Sequence, residues 1–534
     1  MRDLSVIIPS RNEVFLKRTI DNILENIEGD TEIIAILDGQ WSEPRLPDHE
    51  RVTLVYHSES IGQRAATNEG VKLSTAKYIM KSDAHMAFDK GFDVKLIAPY
   101  EDGILGKDVT TIARMYNLHG FDWKCNKCGE RKYQGPTPGT KNKTGELEPG
   151  CSKCDNKDDF EKVVVWEPRK RRMTEAWRID RDLKFAYWNS YKERPESQGD
   201  IVDVMCPLGA CWFMHRDRYW EIGGLDEQHG SWGQMGVEIS CKSWLSGGRQ
   251  VVNKTTWYSH MFRTQGGDFG FPWKFSGNQV HKARKHSANL WLNNTWEGAV
   301  LPFNWLINKF RPPEWPTKGI VYYTDNKVNI RIANQVRGQI DKAHLPVVNV
   351  SLKPLNWGQN IHLELERGKL TMFKQILAGL EASNSDVIFF CEHDVLYHPS
   401  HFNFTPPEKE KIYYNTNTWK LNWETKHAIH YDCKQTSGLC AYRDVLIEHY
   451  TERVRRVEAD GHSNRIGYEP ASHNRAERID DLKSDVWKSP VPNIDIRHDN
   501  NLTPSRWHKD QFRSQKNCQN WQEAEQVPGW DMEE

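Results

Sequence analysis

Asp83 and His85 stand one residue apart at the end of a short apolar run, Lys77-Tyr-Ile-Met-Lys-Ser-Asp-Ala-His85. On an extended strand residues i and i+2 face the same side, so this carboxylate and imidazole can close on one divalent cation. A hard oxygen beside an imidazole suits Mn²⁺, or a similar first-row ion, better than Ca²⁺. Much later Val387-Ile-Phe-Phe390 runs straight into Cys391-Glu392-His393-Asp394, where Glu392 and Asp394 repeat the spacing. A third set consists of thiols: Cys125-x2-Cys128 and Cys151-x2-Cys154, separated by 22 residues rich in Gly, Pro, Lys and Thr. Four thiolates satisfy structural Zn²⁺ and leave no open position for catalysis. The competing readings are a polar loop after a core strand for Asp83-x-His85, and two disulfides for the cysteines.

The elements that must position these groups follow from hydrophobic pattern. Leu4-Ser-Val-Ile-Ile-Pro9 and Glu32 to Leu37 are continuous apolar runs, as buried parallel strands require. Phe15 to Ile27 has a helical period between them, Val52 to Tyr56 reads as a third strand, and Arg64 to Ser74 as a helix feeding Tyr78–Met80. Alternation at these lengths predicts an α/β sheet with right-handed crossovers, whose ligands sit beyond the carboxyl ends of the strands. Pro9, Ser10, Asp38, Asp83 and His85 all fall on that edge.

The chain has 534 residues, enough for two to four domains, and 22 tryptophans, a number that suits stacking sites as well as cores. Lys+Arg 72 against Asp+Glu 73 leaves a net charge of −1, so no global basic field calls for nucleic acid. No apolar run approaches the ~20 residues of a membrane helix, and no charged-then-apolar leader precedes the first strand. The expectation is a soluble, cytoplasmic protein without a transmembrane segment. Seven of the eleven cysteines are scattered singly, which suits a reducing compartment.

The opening resembles nucleotide-sugar glycosyltransferases of the GT-A fold (family 2 type), most of all polypeptide N-acetylgalactosaminyltransferase-like catalytic domains. Ser10-Arg-Asn-Glu-Val-Phe-Leu-Lys-Arg-Thr19 is similar to their first loop and helix, and Asp83-Ala-His85 to their Asp-x-His metal motif. Gly223-Gly-Leu-Asp226, Trp232-Gly-Gln-Met-Gly-Val-Glu-Ile-Ser240 and Ser259-His-Met-Phe-Arg263 are similar to three later blocks. The resemblance covers roughly residues 1–115 and 201–295. It implies a Mn²⁺ (or Mg²⁺) site on Asp83, His85 and His260, with Glu238 and Arg263 beside it as catalytic residues. It implies a donor site on Pro9, Ser10, Arg11, Glu13, Asp38, Arg64 and Trp232, with Asp38 reading uracil in a UDP-sugar. Two departures stand out. The nucleotide-contacting arginines fall on Ala65 and Thr67, with Arg64 one residue away, and Met235-Gly236 replaces a Glu-Asn pair in which inverting relatives carry the base.

The second half repeats the order strand, helix, strand, helix, strand, and Ile494 to His498 occupies the place that His260 has in the first. The expected architecture is therefore α/β: two tandem GT-A (Rossmann-like) domains, 1–300 with a zinc-ribbon insertion at 120–160 and a more divergent 319–512. A Pro-rich linker, 301–318, joins them, and a polar tail, 513–534, follows. Glu392, Asp394 and His498 would hold a second Mn²⁺; Gln375, His430, Glu469 and Trp507 are further polar candidates. The alternative is a Rossmann-like domain with a merely polar strand end.

The expected function is metal-dependent sugar transfer from a nucleotide sugar to a glycan, protein or modified DNA base, in one transfer or in two sequential transfers by the two modules. Two alternatives accompany it: a nucleic-acid-binding protein gripping a backbone with the ribbon and Arg169 to Arg172, and a nucleotidyltransferase, which also binds metal at strand-end acids.

Overall fold

The computed structural model describes residues 2–46, 48–263, 266–273, 277–462, 466–472, 483–499, 501 and 504–531. The chain divides into two compact units, Met1–Leu301 and Pro302–Glu534.

In the first unit the apolar runs become strands where expected: β1 (Leu4–Ser10), β2 (Thr31–Asp38), β3 (Val52–His57) and β4 (Tyr78–Ser82). Helices α1 (Leu16–Asn26) and α2 (Gln63–Leu73) connect them. The strands β3-β2-β1-β4 lie side by side and parallel. Leu4, Val6, Ile7 and Ile8 of β1 are all inaccessible to solvent. Each such side chain contributes roughly 1.5–3 kcal/mol by leaving water, which is why this strand anchors the sheet. Gly70 of α2 presses on it: a Cβ there would lie 2.4 Å from the Ile7 side chain.

Strand β4 stops at Ser82; residues 83–85 form a bend, and β5 (Met86–Phe88) resumes. The long β6 (Val109–Cys125) and β8 (Phe160–Thr174) form an antiparallel ribbon with β7 (Arg131–Tyr133) at its tip. Trp177–Ile179 and Phe185–Tyr187 then pair as a short hairpin. Later in the unit come β9 (Cys211–His215), α3 (Met235–Leu245), β10 (Arg249–His260) and α4 (Gly277–Leu292). β9 pairs antiparallel with β4 and β6, while β10 runs parallel to β6 and antiparallel to β5.

The second unit has its own cores. Its strands are β11 (Lys318–Thr324), β12 (Val347–Ser351), β13 (Gln359–His362), β14 (Val387–Glu392), β15 (Val395–Leu396), β16 (Lys411–Asn415), β17 (Leu439–Tyr442) and β18 (Asn493–Arg497). Helices α5 (Ile330–Asp341), α6 (Lys369–Ala382) and α7 (Arg443–Asp460) flank them. The order β13-β12-β11-β14-β17-β16 has the first four strands parallel and the next pairings antiparallel. That is the sequence of pairings β3-β2-β1-β4-β9-β6 of the first unit.

The expected linker segment contains a helix. Phe303–Phe310 is a helix, because Phe303, Leu306, Ile307 and Phe310 recur at helical spacing and are all buried. The polar tail also takes part in the second unit: Gln522–Ala524 pairs antiparallel with Ala428–His430.

Candidate functional site

The carboxyl edge of β1, β2 and β4 opens into a cavity of about 450 Å³, within the range of small-molecule sites. Pro9, Ser10, Arg11, Glu13, Asp38 and Trp232 line it, as do Asp83, His85, His260 and Arg263. Loops after these strands thus meet residues from the far end of the unit.

Asp83, His85 and His260 offer ligand atoms within 4.8 Å of one another. The grouping does not come from strand alternation, since the strand has ended: the 83–85 bend turns Asp83 and His85 inward, and the pairing of Met86 with His260 brings the end of β10 alongside. His260 Nε2 lies 3.2 Å from Asp83 Oδ2, and its Nδ1 is buried without a hydrogen-bond partner. His85 Nδ1 bonds Glu13 Oε2 at 3.0 Å, which turns its other nitrogen toward the cluster. Glu13 is itself held by Arg263 Nη2 at 2.5 Å. Burial would raise the Glu13 carboxyl, but His85 and Arg263 outweigh it and the pKa is lowered.

Burial likewise opposes ionisation of Asp83, yet Lys81, His260 and His85 together hold its carboxyl well below the usual range. For His260 burial dominates and lowers it to about 4. An ionised carboxylate and a neutral imidazole are the forms that ligate a metal. The donor set of two imidazoles and one carboxylate, with an unpartnered ring nitrogen among them, fits a first-row divalent ion.

Lys81 carried no motif, yet it is wholly buried, its ammonium contacting Asp83 and the Gly209 carbonyl (3.2 Å). The signal available was a lysine inside an apolar run two residues before Asp83. Gln63, also unanticipated, donates to Asp83 Oδ1 at 3.3 Å. Phe271 and Arg284 join the cavity wall, Phe271 edge-on to Trp232 with ring centroids 5.3 Å apart.

Three expected residues hold structure around the cavity. Asp38 lines it, but accepts from Ser60 Oγ (2.8 Å) and from the backbone N–H groups of Ile61 (2.6 Å) and Gly62 (3.1 Å), so it shapes the turn that starts α2. Arg64 and Glu238 are not on the wall. They form a fully buried pair at 2.8 Å, and Arg64 also donates to the carbonyls of Gly230 and Gly233. Glu238 further receives Lys242 at 3.1 Å, and these cations keep its pKa lowered against burial. The pair clamps the loop carrying Trp232. Gly236 has a packing reason: a Cβ there would stand 2.4 Å from the Pro207 carbonyl oxygen.

The four cysteines converge as expected. Cys125 and Cys154 sulfurs are 3.6 Å apart, and those of Cys128 and Cys151 3.4 Å. Tetrahedral Zn–S bonds of about 2.3 Å give edges of about 3.8 Å, close to this arrangement. Another cluster, Asp226, His229 and His286, is internally bonded: His286 Nε2 lies 2.6 Å from Asp226 Oδ2, and His229 Nε2 2.9 Å from Ser287 Oγ.

In the second unit a cavity of about 170 Å³ sits at the carboxyl edge of β11 and β14. Of the expected metal residues, Asp394 and His498 converge there, joined by His393 in place of Glu392. The physical reason is local. β14 ends at Glu392, and residues 393–394 turn, so the alternation that would align Glu392 with Asp394 is lost. Glu392 instead receives the Tyr323 hydroxyl at 2.6 Å, and burial, with Asp394 adding to it, lifts its carboxyl to about 8. Gln375 and Glu469 line this cavity; Gln375 ties the Thr324 and Val350 carbonyls together. His430 bonds the Thr418 carbonyl and stacks on Trp419, and Trp507 packs near His427; neither reaches the cavity.

Comparison with known proteins gives a consistent assignment for the first unit. Residues 5–152 match the model of Glycosyl transferase family 2. This part of the first unit is similar to family 2 glycosyltransferases. N-acetylgalactosaminyltransferase 4 of Drosophila melanogaster is 29% identical over 109 residues, 19% of this chain and 17% of that protein. N-acetylgalactosaminyltransferase 6 of the same fly is 31% identical over 109 residues, 19% and 16% of the two chains. The chain thus spans less than a fifth of the length of these two relatives. Among solved structures, GalNAc-T7 with UDP, GalNAc and Mn2+ shares 16% identity over 59% of this chain and 51% of that one, with a TM-score of 0.37. Among the described residues no helix is long and apolar enough to cross a membrane.

Proposed function

We propose that the first unit transfers a sugar from a nucleotide-sugar donor, a UDP-sugar by resemblance, with a divalent ion held by Asp83, His85 and His260. The observation that carries this reading is the convergence of those three residues on a cavity walled in part by strand-end loops of the region, residues 5–152, that matches family 2. The ion, Mn²⁺ or Mg²⁺, supplies the positive charge that a departing diphosphate needs. Glu13 orients His85, and Arg263, anchored on Glu13, adds a cation at the same wall. Trp232 and Phe271 form an apolar flank that excludes water from the donor. Glu238, spent on Arg64 and Lys242, acts as a counter-ion and positions the Trp232 loop instead of taking a proton. Zn²⁺ on Cys125, Cys128, Cys151 and Cys154 folds the tip of the β6–β8 ribbon.

The test is hydrolysis or transfer across a panel of nucleotide sugars with Mn²⁺. At least one donor is expected to be turned over, with loss of activity of about 100-fold or more in His260→Ala, the scale on which metal-site losses act. No turnover of any donor, or full activity in His260→Ala, overturns the reading.

A further inference from the structure

The second unit repeats the construction of the first in detail, although the family match ends at residue 152. Both sheets have the same order around their first strand. In each, a helical glycine eight residues ahead of the fourth strand presses on the fourth residue of the first strand: Gly70 on Ile7, and Gly379 on Val321, where a Cβ would lie 2.6 Å away. In each, the fourth strand breaks into a short turn and then a brief strand, β5 or β15, antiparallel to a late strand, β10 or β18. The turn supplies two ligand-type side chains, and the end of the late strand supplies a histidine: Asp83, His85 and His260 in one unit, His393, Asp394 and His498 in the other.

The supporting contacts repeat as well. His393 Nδ1 lies 2.8 Å from Thr324 Oγ1 at the end of β11, as His85 Nδ1 bonds Glu13 just beyond β1. Fixing one ring nitrogen in this way aims the other at a shared point. Asp394 Oδ2 accepts from Asn501 at 2.7 Å and stands 3.4 Å from His498 Nε2. Around the cluster, Asp325, Glu469 and Asp495 outnumber Arg367 and Arg497, so the cavity has an excess of negative charge that a cation relieves. Thr436 also faces it, 5% exposed, with a buried hydroxyl that has no hydrogen-bond partner.

We propose that His393, Asp394 and His498 form a second divalent-cation site, independent of the first, that takes the diphosphate of a nucleoside diphosphate. Two imidazoles and one carboxylate leave coordination positions open on one side, and phosphate oxygens are suitable donors for them. The place, beyond the carboxyl ends of parallel strands at the crossover between β11 and β14, is where open α/β sheets receive nucleotides. Arg367 lies at the wall to pair with a phosphate, now held by Asp325 at 2.6 Å, and the Thr436 hydroxyl adds a donor.

The experiment is equilibrium dialysis of Mn²⁺ against the zinc-loaded full chain, with and without UDP as the probe. The wild type is expected to bind two Mn²⁺ per chain, Asp394→Asn and His498→Gln one each, and Asp83→Asn one. In Asp83→Asn, which keeps only the second site, UDP is expected to tighten Mn²⁺ binding about tenfold. A count unchanged in both Asp394→Asn and His498→Gln overturns the second site whatever Asp83→Asn does. A count unchanged in Asp83→Asn alone overturns the first site and leaves the second standing. Should Asp394→Asn fail to fold, the His498→Gln count decides. UDP without effect on Asp83→Asn overturns the nucleotide part.

Discussion

Lys81 sets the charge at the first site more directly than any motif residue. Its ammonium is buried against Asp83, which is thereby kept ionised. Removing one partner of a buried pair leaves the other uncompensated, at a cost of roughly 3–5 kcal/mol. Lys81→Met is therefore expected to lower thermal stability in metal-free buffer and to regain more of it on adding Mn²⁺ than the wild type gains; equal Mn²⁺ shifts in a calorimetric scan would contradict the pairing. His401 acts on stability alone. Its Nδ1 accepts from Asn415 (2.9 Å) and Asn493 (3.1 Å), and burial pushes its pKa down to about 3. The unfolded chain binds this proton near pH 6.5 and the folded chain does not. Stability is therefore complete above pH 6.5 and falls by about 1.4 kcal/mol per unit as pH drops from there toward 3. His401→Phe is expected to flatten that slope in urea titrations of the second unit between pH 6.5 and 4.5.

At the level of elements, the strands were legible because buried parallel strands are continuous apolar runs, and Leu4 to Pro9 or Val387 to Phe390 can be read as little else. The ends of those strands were not. Asp83-x-His85 was expected to share a side by alternation, and the side chains meet through a bend; at Glu392 a similar turn exchanges Glu392 for His393. A period-2 argument fails where the strand stops, and strand stops are where such sites lie. The Arg64–Glu238 pair joins residues 174 apart, a separation that no local pattern reports. The thiol knuckles were legible because ligand spacing within each pair is local. On the proposed Zn²⁺ site, chelation or Cys151→Ser is expected to expose residues between 125 and 160 to protease while leaving the rest of the first unit resistant. Unchanged cleavage on chelation would show that the metal does not fold the ribbon tip.

For the whole molecule, two units share one plan: parallel strands, a turn bearing ligands, and a returning histidine. Their cavities differ, about 450 Å³ in the first and 170 Å³ in the second, so equal ligands are not required of both. The first unit's three-residue cluster is the one proposed to support sugar transfer. The most direct measurement is release of nucleotide from the donor found in the panel, as a function of Mn²⁺, for wild type, Asp83→Asn and Asp394→Asn. Release is expected to depend on Mn²⁺, to fall by about 100-fold or more in Asp83→Asn and to be retained for that donor in Asp394→Asn. Release that survives in Asp83→Asn with undiminished Mn²⁺ dependence would contradict it.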